Sequence, residues 1–457
     1  MKKNSGAMKT AYAITLAIII TGAVVGVGVY YFTRPTQAND LEIYTWWTSG
    51  GELSALNALI GVYKNAYPNV TVIPTAVAGG AGTAFKLLIK PLVLAGEAPD
   101  AFQVHAGYEM EPYVSGGYLD PINDLWSSQG WDNVFPAVLK QNVNFSGNYY
   151  GVPVDIHRSN VVWYNKYILA GNGINVNITT WDQFFAACKQ LSQNTTLTSD
   201  PNFSVVALGD ADTFGDAHVL EQMMAGEGMP FYQDFINGKM TNSSNPTFLH
   251  AINNFALYLN YTNANHLSLT WDAATARVIN NESAFNIMGD WANGEFKVAL
   301  KTYNVDYGTF PVPGTSNMYG LVVDCFEHPK NVKDPQNSLN WLTVVGSTDG
   351  QIAFNTQKGS IPARNDLNAT AIAMFGLYQQ AAIADFTRAG EITYPSIVHG
   401  SAMPVSFGTP FLNACAAFVD AARNKGSTTA ISTLATAITG AITANQGDFV
   451  KVWTLTS

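Results

Sequence analysis

The chain has 457 residues, 23 basic against 33 acidic side chains for a net charge of −10, and only 12% charged residues. That is about half the usual share of charge, yet a mean hydropathy of +0.05 excludes a multi-span membrane protein. An aromatic content of 12% excludes intrinsic disorder, and an acidic balance with no basic run beyond the N-terminus argues against nucleic acid as a partner.

The first predicted element is a membrane segment. Residues 11–32 form an uncharged run of 22 residues, flanked by Lys2, Lys3 and Lys9 before it and Arg34 after it. A bilayer core needs about 20 apolar residues. The flanking charges place residues 1–10 in the cytoplasm and everything after Phe32 outside. No cysteine stands directly after the run, and the nearest small-residue cleavage site, Thr36-Gln37-Ala38, lies well beyond it. An uncleaved anchor is expected over a cleaved signal. Residues 33–40 read as a polar linker. Nine Asn-x-Ser/Thr sequons follow, at Asn69, Asn144, Asn177, Asn194, Asn202, Asn242, Asn260, Asn281 and Asn368. They fit a glycosylated outer surface. A surface wetted by Asn, Ser and Thr changes charge little with pH, which suits an acidic exterior.

Beyond the linker, residues 41–46 read as a strand. A helix follows over 52–66, with Leu53, Leu56, Leu59, Ile60 and Tyr63 on one face. A strand at 70–73, a helix at 83–94 and a strand at 101–104 complete a β-α-β-α-β run, which implies a parallel sheet. Ligands of such sheets bind at the carboxyl ends of the strands. Those ends carry Trp46, Trp47, Gln103 and His105. Helices are expected at 181–191, 217–225, 247–261 and 271–280, and a short strand at 284–288 ending on Gly289-Asp290-Trp291. Residues 307–311 read as a return connection. Further helices are expected at 341–345 and 351–354, and an Ala-rich helical tail at 412–444. Asp420, Arg423 and Lys425 argue against a membrane span in that tail.

Catalytic signatures are missing from the sequence: there is no GxSxG, HExxH, GxxxxGK[ST], or GxGxxG after a strand. Cys188, Cys325 and Cys415 lie far apart, leaving three buried thiols or one disulfide with a spare thiol open. No metal or cofactor is called for. The Gly79 to Thr83 loop opens a helix and reads either as an anion site or as a plain turn. Carboxylates near aromatics, such as Glu52 and Asp290, leave a glycosidase pair open. What stands out is Trp46, Trp47, Trp271 and Trp291 beside polar groups. A sugar presents apolar C–H faces and polar hydroxyl edges, so its binder needs ring platforms with Asp, Gln, His or Lys beside them.

At these residues the sequence resembles the family of extracellular sugar-binding proteins of ABC transporters, in particular its glucose-binding branch. The matching segments are LEIYTWWTSGGE at 41–52, DAFQVHAG at 100–107, VPVDIHRSNVVWY at 152–164, AFNIMGDWANGEF at 284–296, QKGSIPARND at 357–366 and PSIVHGSAMPVSF at 395–407. They run in order along nearly all of the chain after residue 40.

The resemblance implies an α/β, two-lobed periplasmic-binding-protein-like fold of type II with the ligand cleft between lobes. One lobe would comprise 41–154 and 309–360, the other 155–308 and 361–457. It implies Trp46, Trp47 and Trp271 as ring-stacking or cleft-wall residues. Glu52, Gln103, His105, Asp290, Lys358 and His399 would contact sugar hydroxyls, and Asp155, His157 and Arg158 would be hinge or cleft groups. Gly50-Gly51 stands where this branch often has an acidic residue before the Glu, which leaves the register of Glu52 open by one residue. The implied function is a membrane-anchored extracellular binding subunit that takes a monosaccharide, glucose or a related aldose, and delivers it to the permease and its ATPase. A different sugar, a short oligosaccharide, a surface glycoside hydrolase and a sensory input domain are the competing readings.

Overall fold

The computed structural model describes residues 39–425 and 427–455. The expected anchor at 11–32, its cytoplasmic flank 1–10 and all but the end of the linker lie outside the described residues. Three sheets organise the rest. The first has the order β2-β1-β3-β13-β6 and is built from β1 (Asp40–Thr45), β2 (Thr71–Ala76), β3 (Ala101–His105), β6 (Gly151–Pro153) and β13 (Asp324–Glu327). A two-strand hairpin, β4 (Asn144–Phe145) and β5 (Asn148–Tyr149), lies outside it. The second sheet has the order β11-β8-β10-β9, from β8 (Val161–Asn165), β9 (Ser204–Ala207), β10 (Ser283–Ile287) and β11 (Tyr307–Pro311). The third has the order β14-β7-β12-β15, from β7 (Asp155–Arg158), β12 (Met318–Val322), β14 (Ile361–Pro362) and β15 (Ile392–Pro395).

The third sheet is where the chain crosses. Going outward it runs from β6 in the first sheet through β7 to β8 in the second. Returning, it runs from β11 through β12 to β13. Each crossing is a short strand rather than a free loop, so the backbone groups between the sheets are paired: Val322 opposes His157 and Leu321 opposes Arg158.

The first sheet is mixed rather than parallel as its sequence order implies. β1 and β3 are parallel, with Ile43 opposite Ala101, but β13 inserts antiparallel beside β3, with Asp324 opposite His105. The cause is β13, more than 200 residues away from β3, which local periodicity does not reveal. Residues 307–311, read as a connection, form edge strand β11.

Helices pack on these sheets by their apolar faces. Helix α1 (Gly50–Ala66) buries Ala55, Leu56, Leu59, Ile60 and Tyr63, the i, i+3, i+4 pattern of an amphipathic helix, against α9 (Thr348–Lys358). Leu53, placed on that face by the pattern, is instead exposed. The other helices used below are α2 (Thr83–Ala95), α3 (Trp181–Ser192), α4 (Gly215–Gly226), α5 (Pro246–Leu259), α6 (Trp271–Ile279), α7 (Ala292–Val298) and α8 (Pro335–Gly346). The Ala-rich tail is two helices, α10 (Val405–Lys425) and α11 (Ser427–Ala444), packed on each other. Among the described residues, one helical stretch, Val405–Ala422, is long and apolar enough to cross a membrane. It buries Phe407, Phe411, Cys415, Phe418 and Val419 in the core, and Phe418 stacks on Phe255 of α5 with ring centroids 5.5 Å apart. All three cysteines are buried and free, which removes the disulfide option.

Candidate functional site

The carboxyl ends of strands from the first and second sheets face each other across a narrow, partly open cavity with about 30 Å³ of free space. From the first sheet come Trp46, one residue past β1, Glu52 in the first turn of α1, and His105 at the end of β3. Lys358, the last residue of α9, joins them. From the second sheet come Phe214 just before α4, Trp271 at the start of α6, and Trp291 between β10 and α7. His157 of β7, Asp324 at the start of β13 and His399 from the loop after β15 form the back, where the third sheet crosses.

Every charged group in the lining has a partner. Lys358 Nζ donates to Glu52 Oε1 at 2.6 Å. Burial works against the lysine charge, but Glu52, Asp324 and Asp155 outweigh it and hold the ammonium pKa above its ordinary value. His105 Nδ1 lies 2.8 Å from Glu109 Oε2, which also takes a 2.7 Å bond from Lys86. Burial would raise the Glu109 pKa, yet Lys86 and His105 bring it below the ordinary range. The other ring nitrogen of His105 is 3.5 Å from Asp324 Oδ1.

His157 is the centre of a buried network. Its Nδ1 is bonded to Asp290, and its Nε2 lies 2.9 Å from Asp155 Oδ2 and 3.6 Å from Asp324 Oδ2. Burial disfavours an imidazolium, but Asp155 and Asp290 overcome it and lift the His157 pKa well above its usual value. Asp324 is burdened by burial too, and the His157 bond with the His105 and Lys358 charges takes it below the carboxylate range. Asp155 is raised, by burial first and by Asp324 after the His157 attraction. Asp155, His157 and Asp324 place one ligand atom each within 4.8 Å of one another, the metal-type grouping found among the described residues. With His157 held cationic between two carboxylates, the imidazolium itself supplies the positive charge there.

The second side is aromatic. Trp291 lies 5.1 Å from the His399 ring and 6.2 Å from Phe214, and Phe214 lies 5.4 Å from His399. His399 is buried, and burial together with His105 and His218 pulls its pKa well below the usual value, so it is neutral. Its Nδ1 shares a 2.7 Å hydrogen bond with Ser396 Oγ.

The structure therefore brings Trp46, Glu52, His105, His157, Trp271, Lys358 and His399 to the cavity. It does not bring Trp47, Gln103, Asp155, Arg158 or Asp290 into the lining. Trp47 is fully buried against Phe354 and Phe326, at 4.6 and 5.7 Å. Gln103 Oε1 accepts from Thr45 Oγ1 and from the Trp46 amide at 3.2 Å, fixing the strand end that presents Trp46. Asp155 and Asp290 hold His157. Arg158 points the other way, bonding Asp385 at 2.6 Å and the Met318 carbonyl at 3.2 Å while lying 5.1 Å from the Tyr319 ring. The lining also includes Asp324, Phe214, Trp291, Gly79 and Ala81, which were not named as ligand groups. Trp291 was signalled by its place beside Asp290, and Gly79 by its glycine turn. Asp324 carried no local signal.

Two facing walls, joined by paired crossing strands and enclosing rings beside fixed charges, define a two-lobed receptor for a polar solute. The chain belongs to the family of bacterial extracellular solute-binding proteins, which it matches over residues 46–352. It is 40% identical to an uncharacterized ABC transporter extracellular-binding protein of Pyrococcus horikoshii, over 82% of each chain. It is 28% identical to the glucose-binding protein GlcS of Saccharolobus solfataricus, over 69% of this chain and 59% of that one. The solved fold of the bacterial solute receptor AcbH, described as having an exclusive preference for β-D-galactopyranose, matches with a TM-score of 0.75 at 17% identity. That match covers 88% of this chain and 98% of the other.

Proposed function

We propose that the protein is the substrate-binding subunit of an ABC sugar importer and that its ligand is a monosaccharide, glucose or a related aldose. The sugar is held between the two walls, hinge closure follows, and the loaded protein delivers it to the permease and its ATPase. The observation that carries this reading is the cavity itself. It sets rings against a row of fixed hydrogen-bonding charges. Ring faces take the apolar C–H surface of a pyranose, and Glu52, His105, Lys358 and Asp324 take its hydroxyls. Trp47, Gln103, Asp155 and Asp290 act one layer back, by fixing the groups that touch the sugar. The relatives named for ABC transport and glucose binding point the same way. Binding of this kind makes and breaks no bond, so incubation with oligosaccharides yields no new reducing ends.

Lobes comprising 41–154 with 309–360, and 155–308 with 361–457, suit this mechanism. The first sheet draws its strands beyond Asp40 from the first pair, and the second from the other pair save the end of β11. The uncharged run 11–32 would tether the protein to the membrane with the lobes outside. None of the nine sequon asparagines is buried, as a glycosylated surface would require.

Calorimetric titration of the purified protein with glucose, galactose, mannose, xylose, arabinose and maltose tests the reading. Saturable binding of one or two monosaccharides is expected. Tight binding of an oligosaccharide with no heat from any monosaccharide would overturn the substrate assignment.

A further inference from the structure

Two backbone stretches on the first wall, the start of α1 and the glycine turn before α2, meet the cleft without side-chain caps of their own. In α1, the Ser49 side chain at the N-cap makes no bond to the helix amides. The turn Gly80–Gly82 that leads into α2 is preceded by Gly79, which has no side chain to offer. A helix start leaves unsatisfied N–H groups and a partial positive charge. Here the start of α1 and the free amide of the glycine turn are each met by a carboxylate from the opposite wall. The Gly51 amide donates to Glu295 Oε1 at 3.0 Å, and Glu295 belongs to α7, after β10 of the second sheet. The Gly80 amide donates to Asp212 Oδ2, in the turn between β9 of the second sheet and α4. The glycine turn at 79–83 thus receives an anion, and that anion is the chain's own carboxylate.

The approach at both points is backbone-close. A β-carbon on Gly51 would lie 2.8 Å from the Gly294 Cα, and one on Gly80 would lie 2.7 Å from the Asp212 carboxylate and 2.8 Å from the Phe214 ring. Gly79 and Phe214, adjoining the second contact, and Glu52, adjoining the first, line the cavity. The two contacts therefore sit at its rim.

We propose that Asp212 and Glu295 are cross-cleft clasps: positioning residues that touch no ligand but hold the walls shut over it, Glu295 by capping the first turn of α1 in trans and Asp212 by accepting from the glycine turn before α2. This rests on the hinge-closure reading above. Encounter with sugar precedes closure, so association should be insensitive to the clasps and release should not be.

The test is stopped-flow tryptophan fluorescence with the sugar selected by calorimetry, together with small-angle scattering of the free and saturated protein. Asp212→Ala and Glu295→Ala are each expected to speed release roughly five- to thirtyfold, the factor that one lost cap corresponds to. Association should change less than about twofold, because affinity differences among related complexes lie mostly in the dissociation rate. Asp212→Asn and Glu295→Gln keep a carbonyl acceptor and should recover part of the loss. Gly51→Ala and Gly80→Ala should leave the saturated protein more expanded. Unchanged release in both alanine variants, with normal compaction of the parent protein, would overturn the proposal and leave the functional reading intact. So would a drop in melting temperature that is equal with and without sugar, because that marks a structural role within one wall. A parent protein that binds sugar with no compaction at all would instead overturn the closure reading.

Discussion

The two walls of the cleft solve different problems. The first is polar, and every charge on it is tied down: Glu52 to Lys358, and His105 and Lys86 to Glu109. The second presents Phe214, Trp271 and Trp291, with no charged side chain in the lining. A charged wall in a buried site holds only if each ion is paired, since an unpaired buried ion costs several kcal/mol. An aromatic wall needs no such pairing and depends on area. Removing one group from the first wall should therefore damage the fold, whereas removing one from the second should chiefly damage recognition.

The largest effect is expected at the first wall. Lys358→Met leaves Glu52 buried without its cation and should destabilise the protein by about 3–5 kcal/mol in urea unfolding. The double variant Glu52→Gln/Lys358→Met should regain much of that, because no uncompensated charge remains. If the double variant is as unstable as the single one, the difference between the walls is not one of charge pairing. The next effect is on the second wall. Trp271→Ala should weaken sugar binding by about 1–3 kcal/mol through lost ring contact. Asp290→Asn provides the contrast at the back of the cleft. It removes one of the two carboxylates bonded to His157, and its loss of affinity should fall near about 1–3 kcal/mol, as for other charged hydrogen bonds. Unchanged calorimetric affinity in both variants would place the recognition elsewhere in the cavity.

Much of the first wall was legible in the sequence because its residues sit at strand ends and helix starts, where local pattern speaks. Trp46, His105 and Glu52 were all found that way, or through the resemblance their segments carry. What stayed hidden has two causes. One is the alternation of a strand, where neighbours point to opposite faces. It splits a pair named together: His157 faces the cavity and Arg158 the Asp385 side. The period-2 rule applied at that pair separates them, whereas Trp46 and Trp47 lie past the end of β1, where no strand alternation operates. The other is non-local pairing. Asp324 reaches the site only because β13 inserts beside β3, and Asp212 meets Gly80 only when the two sheets face each other. No local window contains either fact.

The smallest effect concerns pH. The weakly charged surface suggested tolerance of acid, but the buried groups behind the second wall carry a pH dependence of their own. His218 of α4 packs 5.8 Å from Trp291 and 6.0 Å from His399, and burial pushes its pKa down to about 3. One turn further on, Glu221 accepts bonds from Tyr232, Ser396 and the amides of Ile397 and Val398, so it anchors the loop that carries His399. Burial pushes its pKa up to about 7 despite those bonds. For His218 the folded value lies below the unfolded one of about 6.5. Its contribution is complete above pH 6.5 and is lost as pH falls toward 3, because the unfolded chain takes a proton that the folded one refuses. For Glu221 the folded value lies above the unfolded one of about 4.3. Its contribution is complete below that pH and is lost as pH rises through 7. Each slope approaches about 1.4 kcal/mol per pH unit for a single proton. The two oppose each other between about pH 4.3 and 6.5, where they should nearly cancel. Below that window only the histidine term continues. Urea unfolding of His218→Phe should therefore show a shallower loss of stability than the parent between pH 4.5 and 3.5. Glu221→Gln should gain stability relative to the parent between pH 5 and 7. If both variants track the parent across the whole range, the pH response belongs to the paired charges of the first wall and not to the core behind the second.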